Sequence, residues 1–136
     1  MTEIELSWAA GFFDGEGCVC YSRHNNRSCY GRIDVSISQV DRRVLDRFIQ
    51  ATALGHITGP YATQLGRSQW RYGLTRYTSI KQLYDLLCPY LSEVKLEQFR
   101  QCFSAYDSEG ERPKPHGKGQ TRAEREHLHA IRSIFS

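Results

Sequence analysis

Two acids, Asp14 and Glu16, sit at the end of the stretch WAAGFFDGEG, residues 8–17, split by Gly15 and followed by Gly17. The residues before them are apolar or small. The stretch reads as a helix brought to a stop by its glycines. A helix favours acids in its first turn, where the dipole is positive, and disfavours them in its last. Here both carboxylates occupy the negative end together. That arrangement repels itself unless something positive sits there. On these residues alone two readings stay open: a solvated helix terminus, or a site for a cation.

The elements that must position this pair can be read from periodicity. Residues 4 to 14 form the first helix, with Ile4, Trp8 and Phe12 on one face and small residues on another. Residues 17–24 and 30–38 read as strands joined by the polar turn NNRS. The second alternates: Ile33, Val35 and Ile37 point one way, Arg32, Asp34, Ser36 and Ser38 the other. Such a sheet has one dry face and one polar face. Asp41 opens a helix with Val44, Leu45, Phe48 and Ile49 on its core side, and Gly55 is expected to stop it. Strands follow near 56–63 and 68–76, with Trp70, Tyr72 and Leu74 against Gln69, Arg71 and Thr75. Ser79 is the expected cap of a further helix, interrupted at Pro89. Ser92 starts another. Residues 107–120 read as a loop. Thr121 with Glu124 makes a capping box for a last short helix carrying Leu128, Ile131, Ile134 and Phe135. The expected class is α+β, in the order α-β-β-α-β-β-α with extra C-terminal helices, and no internal repeat.

With that order in place, Ala9–Gly17, AAGFFDGEG, resembles the LAGLIDADG motif of homing endonucleases. It keeps Ala10, Gly11, Asp14 and Gly17 of the pattern, with Phe12 and Phe13 for two aliphatics and Glu16 for the second acid. The resemblance covers roughly residues 4 to 106. It implies a four-stranded antiparallel saddle sheet in an endonuclease domain over 1–106, with 107–136 as linker and short helix. Chains of this family with one motif are homodimers whose motif helices pack side by side. The interface is then expected at Ala10, Gly11, Asp14 and Gly15. Gly11 and Gly15, four apart, allow backbone to meet backbone, and a twofold dimer follows.

In that setting two Glu16 side chains, one per subunit, meet at the helix ends. The resemblance implies a divalent cation between them, Mg²⁺ before others such as Mn²⁺ or Ca²⁺, held by Glu16 and the Gly15 carbonyl. Asp14 is read as structural, holding the helix end or the partner chain. Gln39 and Arg43 follow the second strand, where family members place polar and basic residues near the attacking water and phosphate. Lys95, after PYLSEV, resembles the lysine that follows PYL in many members, with one extra residue between. Glu16, Gln39, Arg43 and Lys95 are thus the expected catalytic set.

Charge points to the same partner. Between Tyr21 and Lys81 there are ten basic and three acidic residues, a balance of +7, while the remainder carries −4. An Arg-rich centre suits an anionic partner such as nucleic acid. The expected DNA contacts are Ser22, His24 and Asn26 on the first strand, Tyr30, Arg32, Asp34 and Ser36 on the second, and Gln69, Arg71 and Thr75 on the fourth. Arg matches guanine, Asn or Gln adenine, and Asp the amino group of cytosine. A purely electrostatic surface would not need Asp34 beside Arg32.

The remaining features bound the reading. Hydrophobic residues make up 40% and charged residues 24%, as in an ordinary globular chain. The N-terminal MTEIELSW is acidic, unlike a signal peptide. Five cysteines, an odd number without a C-x-x-C pair, read as free thiols in a reducing, intracellular compartment. His116, His127 and His129 lack zinc-ligand spacing with any cysteine. No membrane partner is expected. The expected function is a site-specific, metal-dependent, double-strand DNA homing endonuclease cutting palindromic or pseudo-palindromic targets, as in intron homing. The alternatives are an inactive maturase acting in RNA splicing or DNA-binding regulator, and an unrelated interaction module. Loss of cleavage usually shows as replacement of the second acid, and Glu16 is present.

Overall fold

A computed structural model of the chain describes residues 2–23 and 30–110. The order is α1 (Glu3–Glu16), β1 (Gly17–Arg23), β2 (Gly31–Gln39), α2 (Arg42–Thr52), β3 (His56–Ala62), β4 (Ser68–Leu74), α3 (Tyr77–Leu87) and α4 (Glu93–Asp107). The four strands form one antiparallel sheet in the order β1-β2-β4-β3. The α+β class and the αββαββα order expected from the sequence are those of the molecule. The NNRS turn, most of the 107–120 loop and the last short helix lie outside the described residues.

Local chemistry sets most element ends. Thr2 caps α1 by accepting the Glu5 N–H at 3.1 Å, and Glu3 and Glu5 complement the dipole there. The helix does not stop at Gly15. It runs through Glu16, because a glycine ends a helix only where the backbone leaves the helical region. Gly17 does so, with φ −82° and ψ 152°, while its N–H still closes the last turn on the Phe13 carbonyl. A Cβ at Gly17 would come within 2.3 Å of the Phe13 ring, so only glycine lets β1 depart there.

Asp41 caps α2 through the Arg43 N–H at 2.9 Å, as expected. That helix ends at Ala53, in the left-handed region at φ 59°, two residues before Gly55. Gly55 serves a different purpose: its φ of 98° and its contact with the Tyr72 ring leave no room for a side chain. Ser79 is not a cap. The cap of α3 is Arg76, which makes no side-chain capping bond. The first turn is fixed instead from α4, where Tyr77 stacks on Tyr106 at 3.9 Å and donates to Asp107 at 2.6 Å. Ser92 caps α4 as expected.

The dry face of the sheet carries Val19, Ile33, Val35, Ile37, Tyr72 and Leu74. Against it pack Phe13, Leu45, Phe48, Ile80, Leu83, Leu87 and Phe99 from the helices. Phe48 links Phe13, at 6.3 Å, to the edge of Tyr72, at 4.9 Å between ring centres. The residues of α1 buried in this core are Ala9, Ala10 and Phe13, and Trp8 and Phe12 pack against its edge, half-buried. Trp8 and Phe12 stack on each other at 5.3 Å on the flank, beneath the Arg47 guanidinium, and Ile4 is 79% exposed. The two alanines bring α1 close to the sheet, which bulkier side chains would prevent. None of the described helices is long and apolar enough to cross a membrane.

Candidate active site and nucleic-acid interface

The two acids at the end of α1 have separate surroundings. Asp14 accepts from the Ser92 backbone N–H at 3.1 Å and from its hydroxyl at 2.9 Å. It therefore ties the end of α1 to the start of α4, where a positive helix terminus favours a carboxylate. Glu16 is exposed, and its Oε2 accepts from the Gln39 side-chain amide at 3.2 Å. Gln39 is the last residue of β2, and α1 ends beneath that end of the sheet. The structure thus brings Glu16 and Gln39 together.

Lys95 joins them through the backbone. Its Nζ donates to the Gly17 carbonyl at 2.8 Å and lies 5.5 Å from the centre of the Phe13 ring, and the residue is only 9% exposed. No basic residue belongs to the last turn of α1, so Lys95 supplies from α4 the positive charge which that terminus lacks. Arg43 is not part of this cluster. It makes a fork with Asp41, Nη2 to Oδ2 at 2.7 Å, and its side chain is 90% exposed. That bond holds the Asp41 carboxyl at about 2, well below its ordinary value. Among the described residues no three His, Cys, Asp or Glu side chains converge to hold a metal ion.

The outward face of α1 carries Ile4, Ser7, Gly11 and Gly15, spaced three or four apart and all exposed. A Cβ at Gly11 or Gly15 would meet nothing within 4 Å. Ala10, expected at the dimer interface, belongs to the core instead and is fully buried. Its position in the helical cycle, one residue before Gly11, turns it about 100° away from the glycine stripe.

The polar face of the sheet is ordered by strand register. Ser22 lies opposite Arg32, Cys20 opposite Asp34, Cys18 opposite Ser36, and Ser38 opposite Arg71. Arg71 is in turn opposite Thr58 of β3. Arg32 and Asp34 form an ion pair at 3.2 Å along one strand. Gln69 shares the face of Arg71. Tyr30 stands just ahead of β2, half-buried, and Thr75 lies exposed beyond the end of β4 rather than in the sheet. His24 and Asn26 are outside the described residues. Burial raises the Cys20 thiol pKa, with Cys18 and Asp34 adding to the shift. Ser38, Thr58 and Tyr61 also line this face and were not among the expected contacts. Strand alternation marks Ser38. It cannot mark Tyr61, because the β3–β4 pairing shifts between Thr58 and Tyr61 and the alternation breaks there.

No protein-family model and no curated protein matches the sequence. Solved structures do match the fold. The homing endonuclease I-CvuI, in complex with its target in the presence of Ca, aligns with a TM-score of 0.63 at 15% identity, covering 96% of this chain and 94% of that one. The archaeal intron-encoded homing endonuclease I-Vdi141I, complexed with DNA, aligns at 0.61 and 18% identity, covering 96% of both chains. The LAGLIDADG meganuclease I-AabMI, bound to uncleaved DNA, aligns at 0.60 and 19% identity, and this chain spans 41% of it. With four antiparallel strands behind a glycine-notched first helix that ends in Asp14 and Glu16, the chain has the fold of the LAGLIDADG homing endonucleases.

Proposed function

We propose that this chain is a site-specific double-strand DNA endonuclease that acts as a homodimer with a divalent cation at Glu16. The observation that carries the proposal is the division of labour at the end of α1. Asp14 is consumed by Ser92. Glu16 stands exposed beside Gln39, next to a helix face whose glycines touch nothing among the described residues. An exposed glycine within a helix costs about 0.5–1 kcal/mol relative to alanine. Close approach by an identical helix gives that cost a purpose, and twofold symmetry then brings two Glu16 carboxylates together.

The donors fit a hard divalent cation: an exposed carboxylate and last-turn carbonyls such as that of Gly15, which have no intrahelical partner. Among the described residues Glu16 is the one exposed carboxylate at this helix end, and the set is completed by the partner's Glu16. When bound, the cation would withdraw charge from the scissile phosphate and lower the pKa of a water molecule. The chain's own residues do the rest. Gln39 holds Glu16 in position through its amide N–H and turns its amide oxygen toward the hydrogen of an attacking water. Lys95 fixes the helix end and offsets its negative dipole. Arg43 is a phosphate contact, since its exposed pairing with Asp41 is worth little and is readily exchanged for a phosphate. The polar sheet face lies in the major groove, where a β-ribbon fits. The binding-only reading of the fold is disfavoured by the presence of Glu16. Intron homing and a near-palindromic target belong to the same proposal. Solved structures of the same fold in complex with DNA support the partner.

The test is cleavage of a plasmid library carrying candidate insertion junctions, with Mg²⁺ and then with EDTA. We expect cutting only with the metal, and Glu16→Gln that binds but cuts more than about a hundredfold more slowly, since metal-assisted charge stabilisation is worth several kcal/mol. A protein that stays monomeric on duplex DNA, or a Glu16→Gln variant as active as the parent, would refute the shared site.

A further inference from the structure

The polar sheet face has two ends. Its outer end, at the start of β2, holds Arg32 with Asp34 and Ser22. Its inner end holds Arg71, opposite Ser38 and one register step from the Gln39–Trp70 pair. Gln39 is the residue that touches Glu16. Arg32 and Ser38 are six residues apart on β2, about 20 Å at strand rise, or roughly six base-pair steps of duplex.

The two arginines are held differently. The Arg32 Nε is engaged by the Asp34 carboxylate. Arg71 has no carboxylate partner among the described residues, and its guanidinium lies 5.6 Å from the centre of the Tyr61 ring. Tyr61 reaches it because the irregular step in the β3–β4 pairing sets Tyr61 opposite Gln69, on the polar face. From this we infer that Tyr61 is a positioning residue: its ring holds the Arg71 fork for a guanine in the base pairs nearest the cut.

The chemistry suits that task. Stacking on an aromatic ring uses the face of a guanidinium and leaves its in-plane N–H donors free. Those donors match guanine O6 and N7 in the major groove. An unheld arginine would lose rotamer freedom on binding, and the ring removes part of that loss beforehand. A carboxylate in the same place would instead occupy the donors. The inference rests on the endonuclease reading above.

The experiment compares base preference along a half-site for the parent, Tyr61→Leu, Tyr61→Phe and Arg71→Lys. Tyr61 lies on an exposed stretch of edge strand, so these variants keep the fold. Arg71→Lys, which keeps the charge and loses the fork, should reduce discrimination at one inner base pair roughly tenfold or more. Tyr61→Leu should reduce it roughly two- to fivefold at that same pair, as for an exposed cation–π contact. Tyr61→Phe should restore it, and outer positions should be unchanged. In the DNA-free protein, the Arg71 Nε–H resonance should shift in Tyr61→Leu and not in Tyr61→Phe. A Tyr61→Leu profile identical to the parent's overturns the inference. So does a uniform loss of affinity across all sequences, which marks a phosphate contact. If the parent shows no specific duplex binding at all, the endonuclease reading fails and takes this inference with it. Failure of the inference alone is specific binding that ignores Tyr61.

Discussion

The two sides of α1 are both built from small residues, for different reasons. On the inner side Ala9 and Ala10 are fully buried beside Phe13, and their size lets the helix lie close to the sheet. On the outer side Gly11 and Gly15 face open space. Nothing in the described chain touches the positions where their side chains would be. The last turn repeats the contrast: Asp14 is bound to Ser92 of its own chain, whereas Glu16 is exposed with Gln39 as its hydrogen-bond partner among the described residues. A residue's size therefore does not reveal its task here. Its neighbours do, and among the described residues one side of the helix has neighbours while the other lacks them.

The contrast predicts opposite responses to substitution along a single helix. The largest belongs to the inner side. Phe13→Ala should cost about 3–5 kcal/mol in chemical denaturation, because the ring is fully buried between Phe48 and Phe99. Unfolding free energy unchanged within error would mean that α1 is not docked as described. Next is Asp14→Ala, which removes the acceptor of two Ser92 bonds. A cost of about 0.5–2 kcal/mol is expected, as for loss of a helix cap. Glu16→Gln, by comparison, should stay within about 0.5 kcal/mol, as exposed substitutions do. Equal losses at the two positions would erase the distinction between them.

Much of this was legible in the sequence. Strand alternation and the capping residues Asp41 and Ser92 carry most of the fold, because each acts through neighbours along the chain. The glycine-split acids at 14–16 mark the candidate site. What stayed hidden depends on contacts distant in sequence. The role of Asp14 needs Ser92, 78 residues away. The direction of Lys95, toward the Gly17 carbonyl, needs the packing of α4 against the start of β1. Tyr77 replaces a cap at Ser79 because Tyr106 and Asp107 wait on another helix. The core side of α1 is hidden for another reason: its alanines are less apolar than the Trp8 and Phe12 beside them, and periodicity follows the larger residues. Ala53 in the left-handed region has no sequence mark at all.

A small effect on the outer side discriminates best, because it changes sign with concentration. Gly11→Ala adds one methyl group where a single chain has room for it. In dilute solution, with chains apart, the variant should be about 0.5–1 kcal/mol more stable than the parent, since alanine loses less backbone freedom in a helix. At higher concentration a dimer's stability rises with protein by mass action. On the proposed dimer, the parent's notch admits a second helix, and the parent gains from that rise. The variant, whose methyl holds the backbones apart, gains less. Denaturation midpoints measured across a dilution series should therefore cross. Parallel lines, with the variant above the parent throughout, would leave the outer face of α1 as plain surface, and the paired Glu16 site would have no partner to complete it.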